Sequence, residues 1–119
     1  MVFKKRKTIG VFEVIGSESA IMPEDGEKVL SQVLEALNQE TKVTIDFGRI
    51  KTVITAFLNT AVGKLYKDYT SEQLNAYLEI KGLSSDDIQL LNKVILRAKD
   101  FYRDQEGFGK AVENSGIDK

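Results

Sequence analysis

The chain has 119 residues, 42% of them hydrophobic, and its 17 basic residues nearly balance its 18 acidic ones. A chain of this length can bury one hydrophobic core, so we expect a single domain. The balanced charge gives no overall field that would attract nucleic acid or an anionic membrane. No apolar run reaches the ~20 residues that span a bilayer, and none of signal-peptide length follows the basic run Lys4–Lys7. We therefore expect a soluble, cytoplasmic protein.

Histidine and cysteine are both absent. Their absence removes the commonest general base, the usual partner of a nucleophile and the usual zinc ligands, and it excludes disulfides. An enzyme would need a carboxylate or lysine mechanism, and the sequence offers no paired site for one. We predict that the chain is not an enzyme and that it holds no metal and no cofactor.

The N-terminal third predicts two strands and a helix. The β-branched segment Thr8–Ile15 predicts a strand. After a turn that begins at Gly16, the segment Ala20–Met22 predicts a second strand that forms a hairpin with the first. Pro23 suits the first position of a helix, acidic residues follow it, and apolar residues repeat at helical spacing as far as Leu37.

The middle of the chain predicts a strand followed by a helix. Val43, Ile45 and Phe47 alternate within residues 42–48, as expected for a strand with one buried face. Thr55 is placed to act as the N-cap of the helix, whose apolar stripe continues to Tyr69.

The C-terminal third predicts a strand, a helix and a tail. Residues 73–81 alternate between apolar and polar and end at Gly82. The run Ser84–Asp87 is typical of a helix start, and apolar residues at helical spacing follow it. From about Gln105 the sequence is sparsely apolar and predicts a loosely ordered tail.

These elements predict an α/β fold with the order β-β-α-β-α-β-α. The alternation of strands and helices favours right-handed crossovers, and the N-terminal hairpin makes the sheet of about four strands mixed. The predicted organisation is a flexible basic N-terminus (1–7), one domain (8–104) and the tail (105–119).

The segment between the third strand and the second helix is the strongest candidate for a site. Arg49 and Lys51 lie just before a helix start at Thr55, and a helix N-terminus favours phosphate or another anion. A hydroxyl at this position can also be phosphorylated. Taken alone, these residues favour a structural interpretation, with Thr55 as a cap and two solvated cations.

The basic run Lys4–Lys7 raises the alternative of a nucleic-acid accessory protein. Only one aromatic residue, Phe3, accompanies it. A solvated terminus is the favoured interpretation, so we predict no nucleic-acid partner.

Two parts of the chain resemble a known family. The segments Val43–Phe47 and Val53–Tyr66 resemble the STAS domains of bacterial anti-sigma-factor antagonists, and they are more similar still to a bacterial family of small STAS-like proteins. The late run Leu90–Tyr102 is a second match. With the order of the elements, the resemblance covers most of residues 8–104. It implies a small mixed sheet with helices mainly on one face.

The resemblance also implies a regulated binding module in a bacterial or phage signalling system. In the antagonists, a serine or threonine at this helix start is phosphorylated by an anti-sigma kinase of the GHKL ATPase type, and the unphosphorylated form binds that partner. Here the usual acceptor position falls on Ala56, and Ile54 replaces another polar residue of the motif. Thr55 is the neighbouring candidate for a phospho-acceptor. These departures favour a module that works without the phospho-switch.

The predicted function is therefore a non-catalytic regulatory module that partners a GHKL-type ATPase. The predicted docking surface is the loop and first helical turn, formed by Thr52, Thr55, Ala56, Asn59 and Thr60. The alternative is a sensor of a small ligand, nucleotide or anion at the same helix start, with Arg49 and Lys51 as its anion contacts.

Overall fold

The computed structural model describes the backbone of residues 5–114 and the side chains of residues 5–102. This part of the chain forms short strands that alternate with helices. In chain order the elements are β1 (Lys5–Gly10), α1 (Val11–Ile15), β2 (Ser19–Ala20), α2 (Pro23–Asn38), β3 (Thr41–Asp46), β4 (Thr52–Val53), α3 (Thr55–Ala61), a 3-10 helix (Gly63–Lys67), α4 (Ser71–Tyr77), β5 (Leu78–Lys81) and α5 (Ser85–Asn114).

The strands of the described residues form two small sheets, and every strand pair is parallel. The larger sheet has the order β1-β3-β5, with Ile9 beside Ile45 and Ile45 beside Ile80. The smaller sheet pairs β2 with β4. The α/β class is confirmed, but the predicted single mixed sheet of about four strands is not, because five strands lie in two parallel sheets.

The predicted N-terminal hairpin is wrong because a helix interrupts it. The first strand is Lys5–Gly10, and the β-branched residues that follow form α1 instead of continuing the strand. Gly16 ends α1 in the left-handed region (φ 70°), and its N–H donates to the carbonyl oxygen of Phe12 at 2.8 Å. This short helix carries the chain away from β1, so β2 pairs in parallel with β4 instead of folding back.

The predicted strand over residues 73–81 is half helix. Thr70 starts α4 with a capping box: its side chain accepts from the N–H of Gln73 at 3.0 Å, and the Gln73 side chain accepts from the N–H of Thr70 at 2.8 Å. This reciprocal pair satisfies two N–H groups that a helix otherwise leaves unpaired. The strand therefore contains only Leu78–Lys81.

The two later helices differ in how well the sequence predicts them. The helix predicted from Thr55 ends at Ala61 and continues as the 3-10 helix. The start of α5 is confirmed, since the Ser84 hydroxyl oxygen accepts from the N–H of Asp87 at 3.2 Å. The backbone of α5 is helical as far as Asn114. The predictions for residues 1–4 and 115–119, and for side chains beyond Tyr102, lie outside the described residues.

The core lies between the larger sheet and the helices. Along β3, Thr41, Val43 and Ile45 are buried, while the residues between them on the opposite face are half-buried. The apolar stripe of α2 packs against β3 and β1. No helix within residues 5–114 is long and apolar enough to cross a bilayer.

Glu40, just after α2, gives a test of the backbone geometry. It is exposed and has a φ of 58°, in the left-handed region that strains a residue with a Cβ. Relief of that strain outweighs the extra chain entropy of glycine, so Glu40→Gly should raise the free energy of unfolding by about 0.5–1 kcal/mol. Urea denaturation measures the change.

The matched control is Glu35→Gly. Glu35 is also exposed but lies within α2. The same substitution should there lower the free energy of unfolding by about 1 kcal/mol. Equal losses at both positions would show that the chain does not adopt this C-terminus for α2.

Candidate functional site

The starts of α2 and α3 are held side by side by a close helix crossing. Gly26 is buried in the first turns of α2. A Cβ at this position would lie 3.0 Å from the carbonyl oxygen of Phe57 and 3.0 Å from the Cβ of Thr60. These distances are tighter than almost all contacts of real Cβ atoms, so a side chain here would force its neighbours to shift by a few tenths of an ångström, and Gly26 favours the close spacing of the two helices.

A buried aromatic pair fixes α3 against the end of β3. The rings of Phe47 and Phe57 lie edge to face, with centroids 6.3 Å apart and an interplanar angle of 76°. Both side chains are fully buried. Edge-to-face pairs add to the stabilisation from burial alone. The loop from β3 to α3 is therefore anchored at both ends.

The small β2–β4 sheet places three exposed apolar residues at neighbouring backbone positions. The N–H of Ile54 donates to the carbonyl oxygen of Ala20 at 3.2 Å, which places Ile54 beside the segment Ile21–Met22. Met22 and Ile54 are the N-cap residues of α2 and α3. The exposed fractions of Ile21, Met22 and Ile54 are 37%, 52% and 37%. Both strands thus lead through exposed apolar residues into helix starts.

The predicted docking residues fall into two groups. Thr52, Ala56 and Asn59 are exposed, and Thr55 is half-buried. Thr60 is only 7% exposed, because it packs against Gly26 at the helix crossing. Four of the five predicted residues are therefore accessible at the helix starts, and the fifth supports them from below.

Thr55 is not the N-cap that the sequence predicts. The cap position is Ile54, with an extended backbone (φ −122°, ψ 167°) and no capping hydrogen bond from its side chain, and Thr55 is the first residue of α3. The neighbouring Ala56 is exposed. The residue that the resemblance aligns with the phospho-acceptor is thus at the surface and has no hydroxyl.

The side chains of the two predicted anion contacts, Arg49 and Lys51, each interact with another residue of the protein. The guanidinium carbon of Arg49 lies 3.9 Å from the centroid of the Phe12 ring, a cation–π contact. Arg49 has a φ of 73° at the turn after Phe47. The Nζ of Lys51 lies 3.8 Å from a carboxylate oxygen of Glu18. The anion-sensor hypothesis stays a prediction.

Charges beside the helix starts are also paired. The Nζ of Lys64 on the 3-10 helix lies 2.6 Å from a carboxylate oxygen of Glu27 on α2. Within α2, Lys28 lies 3.4 Å from Asp25. Both pairs are largely solvated, so they contribute little to stability. Residues 5–102 contain no group of three or more carboxylates placed to hold a metal ion.

Seven accessible residues at or near the starts of α2 and α3 form one surface, beside the exposed Pro23 and Glu24. We call it the helix-start surface. It comprises Ile21, Met22, Thr52, Ile54, Thr55, Ala56 and Asn59. The sequence analysis missed Ile21 and Met22, although an apolar pair directly before a helix-starting proline is a signal that could have found them.

Comparison with known proteins agrees with this geometry. Residues 25–87 match the model of a family described as a STAS-like domain of unknown function (DUF4325). The matched segment is more than half of the chain and runs from the first turn of α2 to the first turn of α5. The chain belongs to this family. No curated protein and no solved structure matches it.

The family match agrees with the STAS-like resemblance of the sequence. Most of the helix-start surface, from Thr52 to Asn59, lies inside the matched STAS-like segment. Ile21 and Met22 lie just before it. The suspected STAS-like membership is therefore confirmed, and the surface is built mainly from the part of the chain that defines the family.

Gly26→Ala tests the helix crossing that supports this surface. The new methyl group would press on the backbone of Phe57 and on Thr60, so α2 and α3 would have to separate. Such overpacking costs about 1–3 kcal/mol. This cost should outweigh the ~1 kcal/mol that alanine gains in helix propensity. We expect a lower free energy of unfolding in urea denaturation.

Gly63→Ala is the matched control. A Cβ at this buried glycine would meet Val94 at 3.6 Å and Ala98 at 3.7 Å, which are ordinary contact distances. The substitution should leave stability unchanged or raise it slightly. If Gly26→Ala is tolerated as well as Gly63→Ala, the close crossing of α2 and α3 is wrong.

Proposed function

We propose that this STAS-like domain is a non-catalytic regulatory module that binds a protein partner through the helix-start surface. We further propose that the partner is an ATPase of the GHKL type, as in anti-sigma kinases, within a bacterial or phage signalling system. Family membership supports the general role. The exposed apolar residues Ile21, Met22 and Ile54 carry the assignment of the surface.

The three exposed apolar residues point to a binding surface because they lie next to one another. Single exposed apolar side chains are normal on a protein surface, whereas adjacent ones with a polar rim mark interaction sites. Ile21 and Met22 are consecutive, and the β2–β4 pairing sets Ile54 next to them. Thr52 and Asn59 supply polar atoms at the rim. A partner that covers this surface removes apolar area from water and gains hydrogen bonds at its edge.

The charges around the surface fit an apolar contact better than a site for a charged ligand. Lys51 with Glu18 and Lys64 with Glu27 form ion pairs within the protein. The cation of Arg49 lies on an aromatic ring. Three of the cations near the surface are therefore engaged within the protein, while Glu24, exposed in the first turn of α2, leaves an acidic side chain that a partner would meet. The absence of histidine and cysteine from the sequence is a further argument for binding over catalysis.

Co-purification is the direct test of the partner. The tagged full chain is recovered from its native cell, and bound proteins are identified by mass spectrometry. We expect a GHKL-type ATPase, retained by the wild-type chain and lost when a charge is placed on the helix-start surface. Recovery of other proteins alone, with the same yield from both chains, would contradict the proposal.

Ile54→Glu should weaken partner binding at least tenfold, which corresponds to about 1.4 kcal/mol. The carboxylate would have to be desolvated at the centre of an apolar contact. Since Ile54 is partly exposed in the free protein, the free energy of unfolding should change little. Calorimetric titration of the purified partner measures the affinity, and urea denaturation measures the stability.

Leu96→Glu is the control for Ile54→Glu. Leu96 is 61% exposed and lies on α5, away from the helix starts in sequence. The substitution Leu96→Glu introduces the same negative charge as Ile54→Glu, also at an exposed apolar position. Equal affinity losses for the two variants would contradict the assignment of the surface.

Ala56→Ser tests the loss of the phospho-switch. It places a hydroxyl at the accessible position where the antagonists are modified. Incubated with the partner ATPase and ATP, the variant should gain one phosphate at residue 56, and the wild-type chain should gain none. Intact mass and fragment spectra give the result. Phosphorylation of the wild type that is abolished by Thr55→Ala would show that the switch persists at Thr55.

A further inference from the structure

The outer edge of β5 has no strand beside it among the described residues. β3 is the one strand that pairs with β5, and the sheet ends there. An open strand edge presents unpaired N–H and C=O groups that can pair with another strand. We propose that β5 pairs in antiparallel fashion with β5 of a second copy of this chain, which joins two three-stranded sheets into one.

The backbone hydrogen bonds define which groups of β5 face outward. The carbonyl oxygen of Lys81 accepts from the N–H of Phe47 at 2.8 Å, so the backbone of Lys81 faces inward. Because the direction alternates along a strand, Glu79 also faces the sheet with its backbone, while Leu78 and Ile80 point their N–H and C=O groups away from it. In a twofold antiparallel pair, these outward groups must oppose outward groups of the second copy.

The side-chain charges then select one register. With Ile80 opposite Ile80 of the second copy, Glu79 of each chain lies directly across from Lys81 of the other. Both side chains are exposed on the open face of the sheet. A slip to the next allowed register in either direction puts Glu79 opposite Glu79, or Lys81 opposite Lys81. Like charges directly opposite are destabilising and unlike charges are stabilising, so this strand is complementary to itself in one register only.

Apolar side chains beside the edge favour the same contact. Leu78 and Ile80 lie on the helix-covered face, next to Val43 and Ile45, yet they remain half-buried whereas those two are fully buried. Tyr77 is also half-buried. A further strand at this edge would cover the apolar side chains that the sheet leaves open.

The opposite edge of the sheet shows the contrast. There β1 begins with Lys5, Arg6 and Lys7, all exposed. Two copies of this strand would bring positive charges opposite one another in the registers that pair their N-terminal halves, and charge on an edge strand is one way in which natural sheets avoid self-pairing. The positive charges of β1 therefore disfavour pairing at that edge of the sheet, whereas the alternating charges of β5 favour pairing with a second β5. This inference is independent of the partner proposed for the helix-start surface.

Sedimentation of the full chain over a range of concentrations tests the proposal. The wild type should shift from the mass of one chain to that of two as its concentration rises. Glu79→Lys and Lys81→Glu each place like charges across the interface, so each variant alone should remain monomeric. An equimolar mixture of the two should dimerise, because every cross-strand pair is again of opposite sign. The double variant, with both charges exchanged, should behave as the wild type does.

A control variant and a hydrogen-exchange measurement show whether any dimer forms through β5. Lys93→Glu, at an exposed position on α5, is the charge-matched control and should leave dimerisation unchanged. Hydrogen exchange should show the amide of Ile80 becoming protected as the dimer forms. The proposal is overturned if the wild type stays monomeric at every concentration, or if dimerisation survives both single charge reversals.

Discussion

The close crossing of α2 and α3 at Gly26 fixes how the starts of these two helices lie against each other. Without a Cβ at that position, the carbonyl of Phe57 and the side chain of Thr60 approach α2 directly. The Phe57 ring is then held against Phe47 at the end of β3. With α3 fixed in this way, β4 lies beside β2 and the two helices begin side by side. The exposed position of Ile21, Met22 and Ile54 is a consequence of this packing.

That arrangement connects the fold to a binding role. A helix start that is anchored from below by buried aromatic rings presents its first turn in one fixed position, and a pre-organised surface loses less entropy when a partner binds. The same turn bears the phospho-acceptor in the STAS domains that the sequence resembles. In this chain the resemblance places Ala56 at that position, which is exposed and has no hydroxyl to phosphorylate.

Local patterns in the sequence predicted the elements whose stability is local. The stripe of α2, the alternation of β3 and the serine cap of α5 all appear as expected. The errors occur where tertiary contacts override propensity. The β-branched residues from Val11 to Ile15 favour a strand but form α1. The residues around Gln73 are a different case, because a local signal, the capping box of Thr70 and Gln73, starts a helix within an alternating pattern. The parallel pairing of β2 with β4 depends on packing more than thirty residues away and has no local signal. For the same reason nothing in the sequence indicated that Ile21 lies beside Ile54.

Hydrogen exchange of the domain, alone and mixed with the GHKL-type ATPase that we propose as its partner, tests most directly whether the helix-start surface binds. The account predicts that binding protects the amides around Ile21 and Met22 and those from Ile54 to Asn59 together, since the two segments form one surface. The amides on either side of Leu96 on α5 should exchange at the same rate in both states. Protection confined to other segments, or protection of one helix start without the other, would contradict the account.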